Sequence, residues 1–420
     1  MTASMRRGWC PSALKPMTTG DGLLMRLRAP LGKLSLAQAQ GLAEAAARHG
    51  NGVIDLTSRA NLQVRGLTEA SHRALIDDLA GLDLLDSGPD SAMLPELPCT
   101  LIASPFAEPA DLLPLRAALE AKLRGEARLE GLPPKFCIVL DEVAAPLFND
   151  IPAHLRILFE ARGGGATICG EHGAAMATAE IPERVVKRAL AAVLSPHGDE
   201  KAGHAVFAAK LGEALAPNLL TSRDKSPEGS SSRSVERHRA ENLLGPFRHG
   251  RRQHAGIGVS FSSMQAHCLV GLVSAMRVAG AAELRLTPWQ MLIVPDIDTS
   301  AVPHLIAAAS RFSFIVAGDD PRRAVSACAG KPDCASACLP VRDDAMLLAQ
   351  LLGTRLHQNG VHVHLSGCEK ACSRSQRANY TLWATPLGYV LLDKPPLTPI
   401  PTFDGLSLAA AAARIEAEIG

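Results

Sequence analysis

Apolar residues recur with helical and strand-like spacing in two well-separated parts of the chain. From Ser35 to His49 small and aliphatic residues return every three or four positions, which predicts a helix that begins after an N-capping serine and ends at Gly50. The strand-like run Gly22 to Ala29 precedes it. A second Ala-, Val- and Leu-rich stretch, Ser263 to Ala279, follows the strand-like run Ile257 to Phe261. Each predicted helix is followed by an apolar, β-branched strand, so the pattern predicts two strand–helix–strand units.

The two units also resemble each other in sequence. Leu56-Thr57-Ser58-Arg59-Ala60-Asn61-Leu62-Gln63-Val64 and Leu286-Thr287-Pro288-Trp289-Gln290-Met291-Leu292-Ile293-Val294 share Leu, Thr, Leu and Val at a constant offset of 230 residues. Gly50 and Gly280 are separated by the same offset. Because the flanking helix and strand order agrees as well, an internal duplication is the better interpretation than a chance match.

A polar, turn-rich stretch of the chain separates the two units. Residues Thr221 to His254 include Ser226-Pro227-Glu228-Gly229-Ser230-Ser231-Ser232-Arg233 and a run of Arg and His, which is typical of a polar linker with little to bury. The predicted layout has five segments: a first half-unit at 8–80, an α/β lobe at 95–220, the linker at 221–254, a second half-unit at 255–318 and a cysteine-containing α/β lobe at 319–420.

Charge and hydropathy narrow the class of protein. The 420 residues are 47% hydrophobic and carry 43 basic against 42 acidic residues, a net charge of +1 that gives no reason to expect nucleic acid or a membrane surface as partner. The segment Met1 to Pro16 has no apolar run after its two arginines, and no stretch of about 18 apolar residues predicts a membrane span. We therefore expect an enzyme of the cytoplasm whose ten cysteines stay reduced or bind metal.

Four cysteines near the C-terminal end are the strongest chemical signal. They form two close pairs in loops rich in turn residues, Cys328-Ala-Gly-Lys-Pro-Asp-Cys334 and Ser-Gly-Cys368-Glu-Lys-Ala-Cys372. Four thiolates are what a cubane iron–sulfur cluster requires. Structural zinc more often uses two Cys-x-x-Cys knuckles, and four separate buried thiols are the third interpretation. The spacing favours the cluster, although Cys338, four residues beyond Cys334, could also be taken for a ligand.

The order of the units, the duplication and this cysteine spacing resemble the sirohaem-dependent sulfite and nitrite reductase superfamily. Pro332 matches the first cysteine loop of those enzymes, and the stretch Thr57 to Gln63 is similar to their Thr-Thr-Arg-Gln-x-x-Gln segment, whose arginine approaches the bound anion. Further segments resemble the precorrin-3B synthase branch of aerobic cobalamin biosynthesis. They are Arg7 to Pro11 with Asp21 to Arg28, Ala282 to Trp289, and Leu365 to Lys370.

The resemblance implies a fold and a cofactor. We expect an α+β fold with pseudo-two-fold symmetry, in which two ferredoxin-like half-units pair and two α/β lobes form a cleft. The implied ligands of a 4Fe–4S cluster are Cys328, Cys334, Cys368 and Cys372. Sirohaem or a mononuclear iron is the second cofactor to consider. No glycine-rich dinucleotide fingerprint follows a predicted strand, so electrons are expected to come ultimately from NAD(P)H through a separate ferredoxin or reductase.

The resemblance also implies an activity and a set of binding residues. The branch uses O2 to hydroxylate precorrin-3A and to close a lactone from one of its acetate side chains. The carboxylates of this tetrapyrrole require cations, and Arg suits them because its fork binds a carboxylate through two hydrogen bonds. The candidates are Arg26, Arg28, Arg59, Arg65 and Lys135. Which residues are catalytic stays open, and His362 and His364 are either structural or handle protons or iron.

The alternative is a sirohaem-dependent sulfite or nitrite reductase. Those enzymes collect several cations over the haem to bind a small oxyanion. In the matching stretch Leu132-Pro133-Pro134-Lys135-Phe136-Cys137 the lysine stays, but an arginine and a second lysine are missing. A further arginine of the reductases is replaced by Leu97. Loss of these charges would weaken the stabilisation of a small anion, and it favours a changed substrate. A non-catalytic iron–sulfur or tetrapyrrole-binding protein is the third possibility.

Overall fold

A computed structural model describes residues 10–85, 99–106, parts of 112–123, 136–142, 146–149, 151–159, 166–170, 175–178, 243–371, 378–392 and 405–419. The chain divides into two compact units. One consists of Met1–Cys10 and Asp86–Ala240, and the other of Pro11–Leu85 and Glu241–Gly420. Both half-units and the cysteine lobe therefore fall in the same unit. Lys135 and Cys372, named above as site residues, lie outside the described residues.

The first half-unit alternates strands and helices as its pattern predicts. Its elements are β1 (Met17–Thr19), β2 (Gly22–Leu27), β3 (Lys33–Ser35), α1 (Leu36–His49), β4 (Val53–Leu56), β5 (Leu62–Leu67) and α2 (Glu69–Gly81). The predicted cap of α1 is confirmed, since the Ser35 hydroxyl accepts a hydrogen bond from the backbone N–H of Gln38 while the Gln38 side chain accepts one from the N–H of Ser35. Along α1 the residues that return every three or four positions are buried: Ala39, Leu42, Ala43 and Ala46.

The second half-unit repeats this order. Its elements are β11 (Gly245–His249), β12 (Arg252–Gly258), β13 (Ser263–Gln265), α3 (Ala266–Val278), β14 (Glu283–Leu286), β15 (Met291–Val294) and α4 (Val302–Arg311). Backbone conformation repeats at the same offset, because Leu31 and Phe261 have φ of 53° and 51°, and Ala60 and Gln290 have φ of 54° and 57°. The duplication predicted from the sequence is confirmed.

The two half-units exchange strands. One sheet has the order β1-β2-β5-β4-β13, so its last strand comes from the second half-unit. The other has the order β11-β12-β15-β14-β3 and ends with a strand from the first half-unit. Met264 pairs with Ile54 and Leu34 pairs with Leu284, all in antiparallel register. Helices α1 and α3 pack against each other, and a shared apolar core runs through both half-units.

Three boundaries differ from the sequence-based expectation. The composition of the stretch 245–254 predicts linker, but the stretch forms β11 and the first three residues of β12. The second unit's first long strand is therefore Arg252–Gly258 rather than Ile257 to Phe261, and Ser263–Gln265 is a strand rather than the start of α3. The hairpin reads as polar because one face of β11 is exposed while Phe247 is buried on the other.

The two α/β lobes each contain a mixed sheet. In the N-terminal lobe the strands are β6 (Thr100–Ala103), β7 (Cys137–Glu142), β8 (Leu155–Phe159), β9 (Ala166–Gly170) and β10 (Ala175–Thr178). Their order is β10-β9-β8-β7-β6, in which β6, β7 and β8 are parallel. Strand β7 is almost wholly buried, as expected of a central parallel strand.

The C-terminal lobe carries the cysteine loops. Its elements are β16 (Val325–Ala327), α5 (Val341–Gln358), β17 (Val363–Ser366), β18 (Tyr380–Thr385), β19 (Gly388–Leu392) and α6 (Leu408–Ile419). The sheet order is β16-β17-β18-β19, with β16, β17 and β18 parallel. Helices α5 and α6 contribute buried Ala, Leu and Ile residues to the core of this lobe.

Within the described ranges no helix has both the length and the apolar content that a membrane crossing requires.

Candidate functional site

Two cysteine loops begin at the carboxyl ends of two neighbouring parallel strands. Cys328 directly follows β16, and Cys368 lies two residues beyond β17. Because β16 and β17 are paired in parallel, their carboxyl ends meet at one edge of the sheet and the loops leave it side by side. These cysteines are forty positions apart in the sequence, and the parallel pairing of β16 and β17 brings the loops that carry them side by side.

Hydrogen bonds join the two loops. The N–H of Gly367 donates to the sulfur of Cys328 at 3.1 Å, and the N–H of Cys338 donates to the carbonyl of Gly367 at 2.7 Å. A side chain at position 367 would bring a Cβ within 2.7 Å of the Ala337 Cβ and 3.4 Å of the Cys328 sulfur, so the close approach of the loops requires a glycine there. Across the loops the ammonium group of Lys370 donates to the Ser336 hydroxyl at 3.2 Å.

The donor chemistry of these loops fits an iron–sulfur cluster. Cys328, Cys334 and Cys368 are half-buried free thiols, and a backbone N–H directed at a cysteine sulfur stabilises the thiolate form that ligates iron. In the described part of the chain no three Cys, His, Asp or Glu side chains come close enough together to hold a metal ion. Cys372 lies outside that part, so convergence of the four sulfurs stays a prediction.

A buried ion-pair cluster fastens the first cysteine loop to the first half-unit. Its centre is Arg65 of β5, whose Nε and Nη2 donate to the two carboxylate oxygens of Asp21 at 3.0 Å each. Its Nη1 lies 3.4 Å from Asp55 Oδ2, and its Nη2 also donates to the backbone carbonyl of Asp333. Burial opposes the charge of Arg65, but the attraction of Asp55, Asp21 and Asp333 outweighs it and raises the pKa of the guanidinium.

A second arginine binds two carboxylates of the same cluster. Arg342, in the first turn of α5, donates from Nη1 to Asp333 Oδ2 at 3.0 Å and from Nη2 to Asp55 Oδ1 at 2.7 Å. The cluster thus contains three carboxylates and two guanidinium groups. The pKa of Asp333 is raised, first because the carboxyl group is buried, and the nearby arginines only partly offset this.

The polar face of the first sheet presents cations near this cluster. Residues that alternate along a strand share a face, so Arg26 of β2 and the following Arg28 lie on the same side as Gln63 and Arg65 of β5. Arg26 is directly opposite Gln63 in the register. With the Gln63 amide oriented so that its oxygen faces Arg26, it accepts hydrogen bonds from Arg26 Nε at 3.2 Å and Nη2 at 2.9 Å.

Arg59 lies in the turn between β4 and β5, at the end of this sheet where Leu27 of β2 pairs with Leu62 of β5. The Thr57 hydroxyl accepts hydrogen bonds from the N–H groups of Arg59 at 3.3 Å and Asn61 at 3.1 Å, and Ala60 between them has φ of 54°. This turn holds the Arg59 backbone in a defined conformation, and its side chain is half-buried. Asn61 beside it is 4% exposed.

The five predicted binding residues do not share one environment in the structure. It places Arg26, Arg28 and Arg59 on or beside one polar sheet face, where their binding role stays a prediction, and Lys135 lies outside the described residues. Arg65 is a correction: its side chain is 4% exposed and its guanidinium is engaged by the chain's own carboxylates. A strand position on the correct face does not reveal whether an arginine faces a ligand or an aspartate.

His362 and His364 come together through a third residue. The Ser326 hydroxyl lies 2.9 Å from His362 Nε2 and 2.9 Å from His364 Nδ1, so one hydroxyl bridges both rings. Because β16 and β17 are parallel, Ser326 stands directly beside His364 in the register. Whether these rings handle protons stays a prediction, and their packing within the sheet accounts for their alternation in the sequence.

Sequence reasoning missed the residues that connect the site. Asp21, Asp55, Asp333 and Arg342 come from four elements spread over more than three hundred positions, and no local motif links them. The one usable signal was the position of Asp333 directly before Cys334.

The second sheet lacks the corresponding cations. At the offset of 230 residues, Arg26 and Arg28 correspond to Gly256 and Gly258. A Cβ at Gly256 would lie 1.8 Å from the Leu243 carbonyl oxygen, and one at Gly258 would lie 3.0 Å from the Ile315 side chain. The chain itself therefore covers this face of the second sheet, and among the described strands the duplicated arginine positions carry cations in the first half-unit alone.

Comparisons with known proteins agree with this architecture. Residues 15–82 match the nitrite/sulfite reductase ferredoxin-like half domain. The structure of the NirA protein of Mycobacterium tuberculosis superposes with a TM-score of 0.66 at 18% sequence identity, over 94% of this chain and 79% of that one. The half domain is thus similar to that of nitrite and sulfite reductases, and the fold of the chain is similar to that of the NirA protein.

Two curated relatives are similar to nearly the whole chain. A precorrin-3B synthase from Sinorhizobium sp is 29% identical over 403 residues, which cover 93% of this chain and 83% of the relative. A ferredoxin–nitrite reductase from Synechococcus elongatus is 23% identical over 410 residues, 90% of this chain and 79% of the relative. The chain is similar to both along nearly its whole length, and more so to the precorrin-3B synthase.

Proposed function

We propose that this chain is a precorrin-3B synthase that uses O2 to hydroxylate precorrin-3A and to form its lactone in cobalamin biosynthesis. One structural observation carries the proposal. The sheet face that holds Arg26, Arg28 and Arg59 is tied directly to the loop of Cys334 through the Arg65–Asp333 contacts. A cation-bearing face and a cysteine loop held together in one compact unit suit a large polycarboxylate that must react beside a redox centre.

The binding step follows from the chemistry of the sheet face. Precorrin-3A carries several carboxylates, and guanidinium groups bind them through charge-assisted hydrogen bonds worth roughly 1.5–3 kcal/mol each. We assign Arg26, Arg28, Arg59 and Lys135 to these carboxylates. Gln63 orients the Arg26 guanidinium by accepting two of its hydrogen bonds. Such contacts fix the macrocycle without taking part in the oxidation.

The redox step requires electrons and protons from outside the substrate. Addition of one oxygen atom of O2 to the macrocycle, with the other released as water, consumes two electrons and two protons. A 4Fe–4S cluster held by Cys328, Cys334, Cys368 and Cys372 would supply electrons one at a time to an iron centre, either sirohaem or a mononuclear iron. The N–H of Gly367 stabilises negative charge on the Cys328 sulfur. The ferredoxin–nitrite reductase relatives suggest that a separate protein donates the electrons, ultimately from NAD(P)H.

The decisive experiment is turnover by the anaerobically purified full chain. With precorrin-3A, O2 and a reducing system, we expect a product that is heavier by one oxygen atom, and 18O2 should label it. A sirohaem absorption band, turnover of nitrite or sulfite and unchanged precorrin-3A would instead establish the reductase function. A redox-silent chain that binds a tetrapyrrole without converting it would exclude both enzymes.

A cysteine variant connects this activity to the cluster. Cys368→Ser should lose the iron–sulfur absorption and all turnover, because a serine oxygen is a poor ligand for this cluster. Cys268→Ser is the matched control, since Cys268 is also a half-buried free thiol but lies on α3 beside His267. Full activity in Cys368→Ser would contradict the assigned ligand.

A further inference from the structure

The residue directly before Cys334 is held from three elements at once. The Asp333 carboxylate accepts a hydrogen bond from Arg342 at 3.0 Å and lies 3.9 Å from Arg65 Nε. The Asp333 backbone carbonyl accepts from Arg65 and from the N–H of Gly20 at 3.1 Å. Helix α5, strand β5 and the turn between β1 and β2 therefore all hold this single residue.

The turn at Gly20 is pressed closely against the cysteine loop. A Cβ at position 20 would lie 2.3 Å from the Pro332 carbonyl oxygen and 2.9 Å from the Ala335 nitrogen. Backbone contacts on both sides of Cys334 thus add to the ion pairs. The loop is therefore packed against the first half-unit as well as against its own lobe.

General stabilisation is a weak explanation for this arrangement. Taking charges out of water costs several kcal/mol per ion, and apolar replacements of a buried ion pair are often equally stable or more so. What ion pairs with two fixed partners do provide is a defined geometry, because each carboxylate oxygen accepts from a particular nitrogen. Asp55 shows this, since its Oδ1 accepts from Arg342 and its Oδ2 from Arg65.

We propose that Arg65 and Arg342 are positioning residues that hold the Cys328–Cys334 loop in the geometry required for cluster binding and align it with the substrate-binding sheet face. The alignment follows from β5, where Gln63 holds Arg26 two residues before Arg65 holds Asp333. The path from Cys334 to Arg26 contains only covalent bonds and direct hydrogen bonds. This inference rests on the cluster of the proposed function, but not on the identity of the substrate.

The test measures how tightly the full-length holoprotein retains its cluster. Arg342→Met, Arg342→Lys and the wild type are purified anaerobically, assayed for iron and acid-labile sulfide, and then exposed to an iron chelator. We expect Arg342→Met to lose iron about tenfold faster or more, because Asp333 and Asp55 lose a shared partner. Arg342→Lys should lie between the two, since a lysine keeps the charge but cannot bridge both carboxylates with a planar fork.

Arg322→Met is the matched control in the same lobe. The Arg322–Asp320 pair has side-chain exposures of 18% and 16%, close to the 17% and 15% of Arg342 and Asp333. Among the described residues the Arg322 guanidinium donates to Asp320, Ser313 and Phe314 and to neither cysteine loop. Arg322→Met should lower the stability of the chain while iron loss keeps the wild-type rate. Equal iron loss in Arg322→Met and Arg342→Met would overturn the inference, because general destabilisation would then explain both.

Two further outcomes are decisive. Wild-type retention in Arg342→Met, or a wild-type chain that binds no cluster, contradicts the positioning role. If Arg342→Met does not fold, Asp333→Asn removes the same ion pair with little change in volume and should also accelerate iron loss, and normal retention in that variant would equally contradict the role. A chain with a normal cluster and no action on precorrin-3A would refute the proposed function and leave this inference intact.

Discussion

Gln63 and Arg65 lie two residues apart on one face of β5, but their surroundings give them different roles. Gln63 supports Arg26, which we assign to the substrate, whereas Arg65 is enclosed by Asp21, Asp55 and the cysteine loop. The difference comes from what packs over each position. At the residue scale, the role of an arginine therefore depends on the partners that its guanidinium group already has.

Arg59 provides a test of the binding role at one residue. If it grips a substrate carboxylate equally in the ground and transition states, Arg59→Ala should raise KM for precorrin-3A by about one to two powers of ten and change kcat little. The exposed Arg73 of α2 supplies the control, and Arg73→Ala should leave both constants unchanged. A collapse of kcat at unchanged KM would move Arg59 from substrate anchoring to the reacting centre.

His254 predicts a pH-dependent stability. It is 3% exposed, stacks on Phe247 with ring centroids 5.3 Å apart, and its Nδ1 accepts from the N–H of Asp296 at 3.3 Å. Burial is the main cause that lowers its pKa below 6.5, although Asp296 acts in the opposite direction. The unfolded chain therefore binds more protons, and the stability present above about pH 6.5 is lost as the pH falls toward the folded-state pKa.

The measurement for His254 is denaturant unfolding at pH 7.5 and 5.5. Wild type should lose stability over this interval, and His254→Gln should lose less because the titrating group is gone. Equal pH dependence in both proteins would show that other groups are responsible.

At the scale of elements, β2 and β12 are equivalent strands of the two half-units, but their surroundings differ. Strand β2 carries Arg26 on a face that meets the cysteine loop, and β12 carries Gly256 where the chain near Leu243 covers it. The two strands keep the same place in their sheets. The same strand position can thus carry a polar face in one half-unit and a covered face in the other, without a change of topology.

Substitution of Gly256 tests this covered face. Gly256→Ala would place a Cβ 1.8 Å from a backbone oxygen that cannot rotate away, so we expect a loss of about 3 kcal/mol or more in the free energy of unfolding. Gly81→Ala at the end of α2 meets no atom within 4 Å and should be neutral or slightly stabilising. Comparable stabilities for the two variants would mean that the chain near Leu243 can withdraw from β12.

At the scale of the whole molecule, two kinds of link hold Pro11–Leu85 and Glu241–Gly420 together as one unit. Strands β3 and β13 are exchanged between the half-unit sheets, and the ion-pair cluster fastens the first half-unit to the cysteine lobe. Neither half-unit has a complete sheet of its own. Segments that are far apart in the sequence thus supply strands to the same sheet.

Separated fragments should reveal this dependence. A fragment of residues 10–85 lacks its fifth strand and leaves Leu34, which is fully buried in the chain, without its partner Leu284. We expect it to show no cooperative unfolding alone and to gain structure when mixed with a fragment of residues 241–420, as followed by circular dichroism. A stable, cooperatively unfolding 10–85 fragment would contradict the requirement for strand exchange.

The sequence by itself determined the periodic and local features. The capped helix α1, the duplication at 230 residues and the two cysteine pairs were readable because each depends on spacing within a short window or on a repeat of one. The alternation of Arg26 and Arg28 predicts that they share one strand face, and the resemblance alone made Arg59 a candidate cation. The hairpin of β11 and β12 was misread as linker, because an edge hairpin with one exposed face has the composition of a loop.

Tertiary structure decided the partners. Arg65 is enclosed by carboxylates because Asp21, Asp55 and Asp333 reach it from separate elements. The exchange of β3 and β13 was equally invisible, since either strand could have paired within its own half-unit. Local propensity acts over a few residues, whereas long-range ion pairs and sheet edges are selected by the free energy of packing the whole chain.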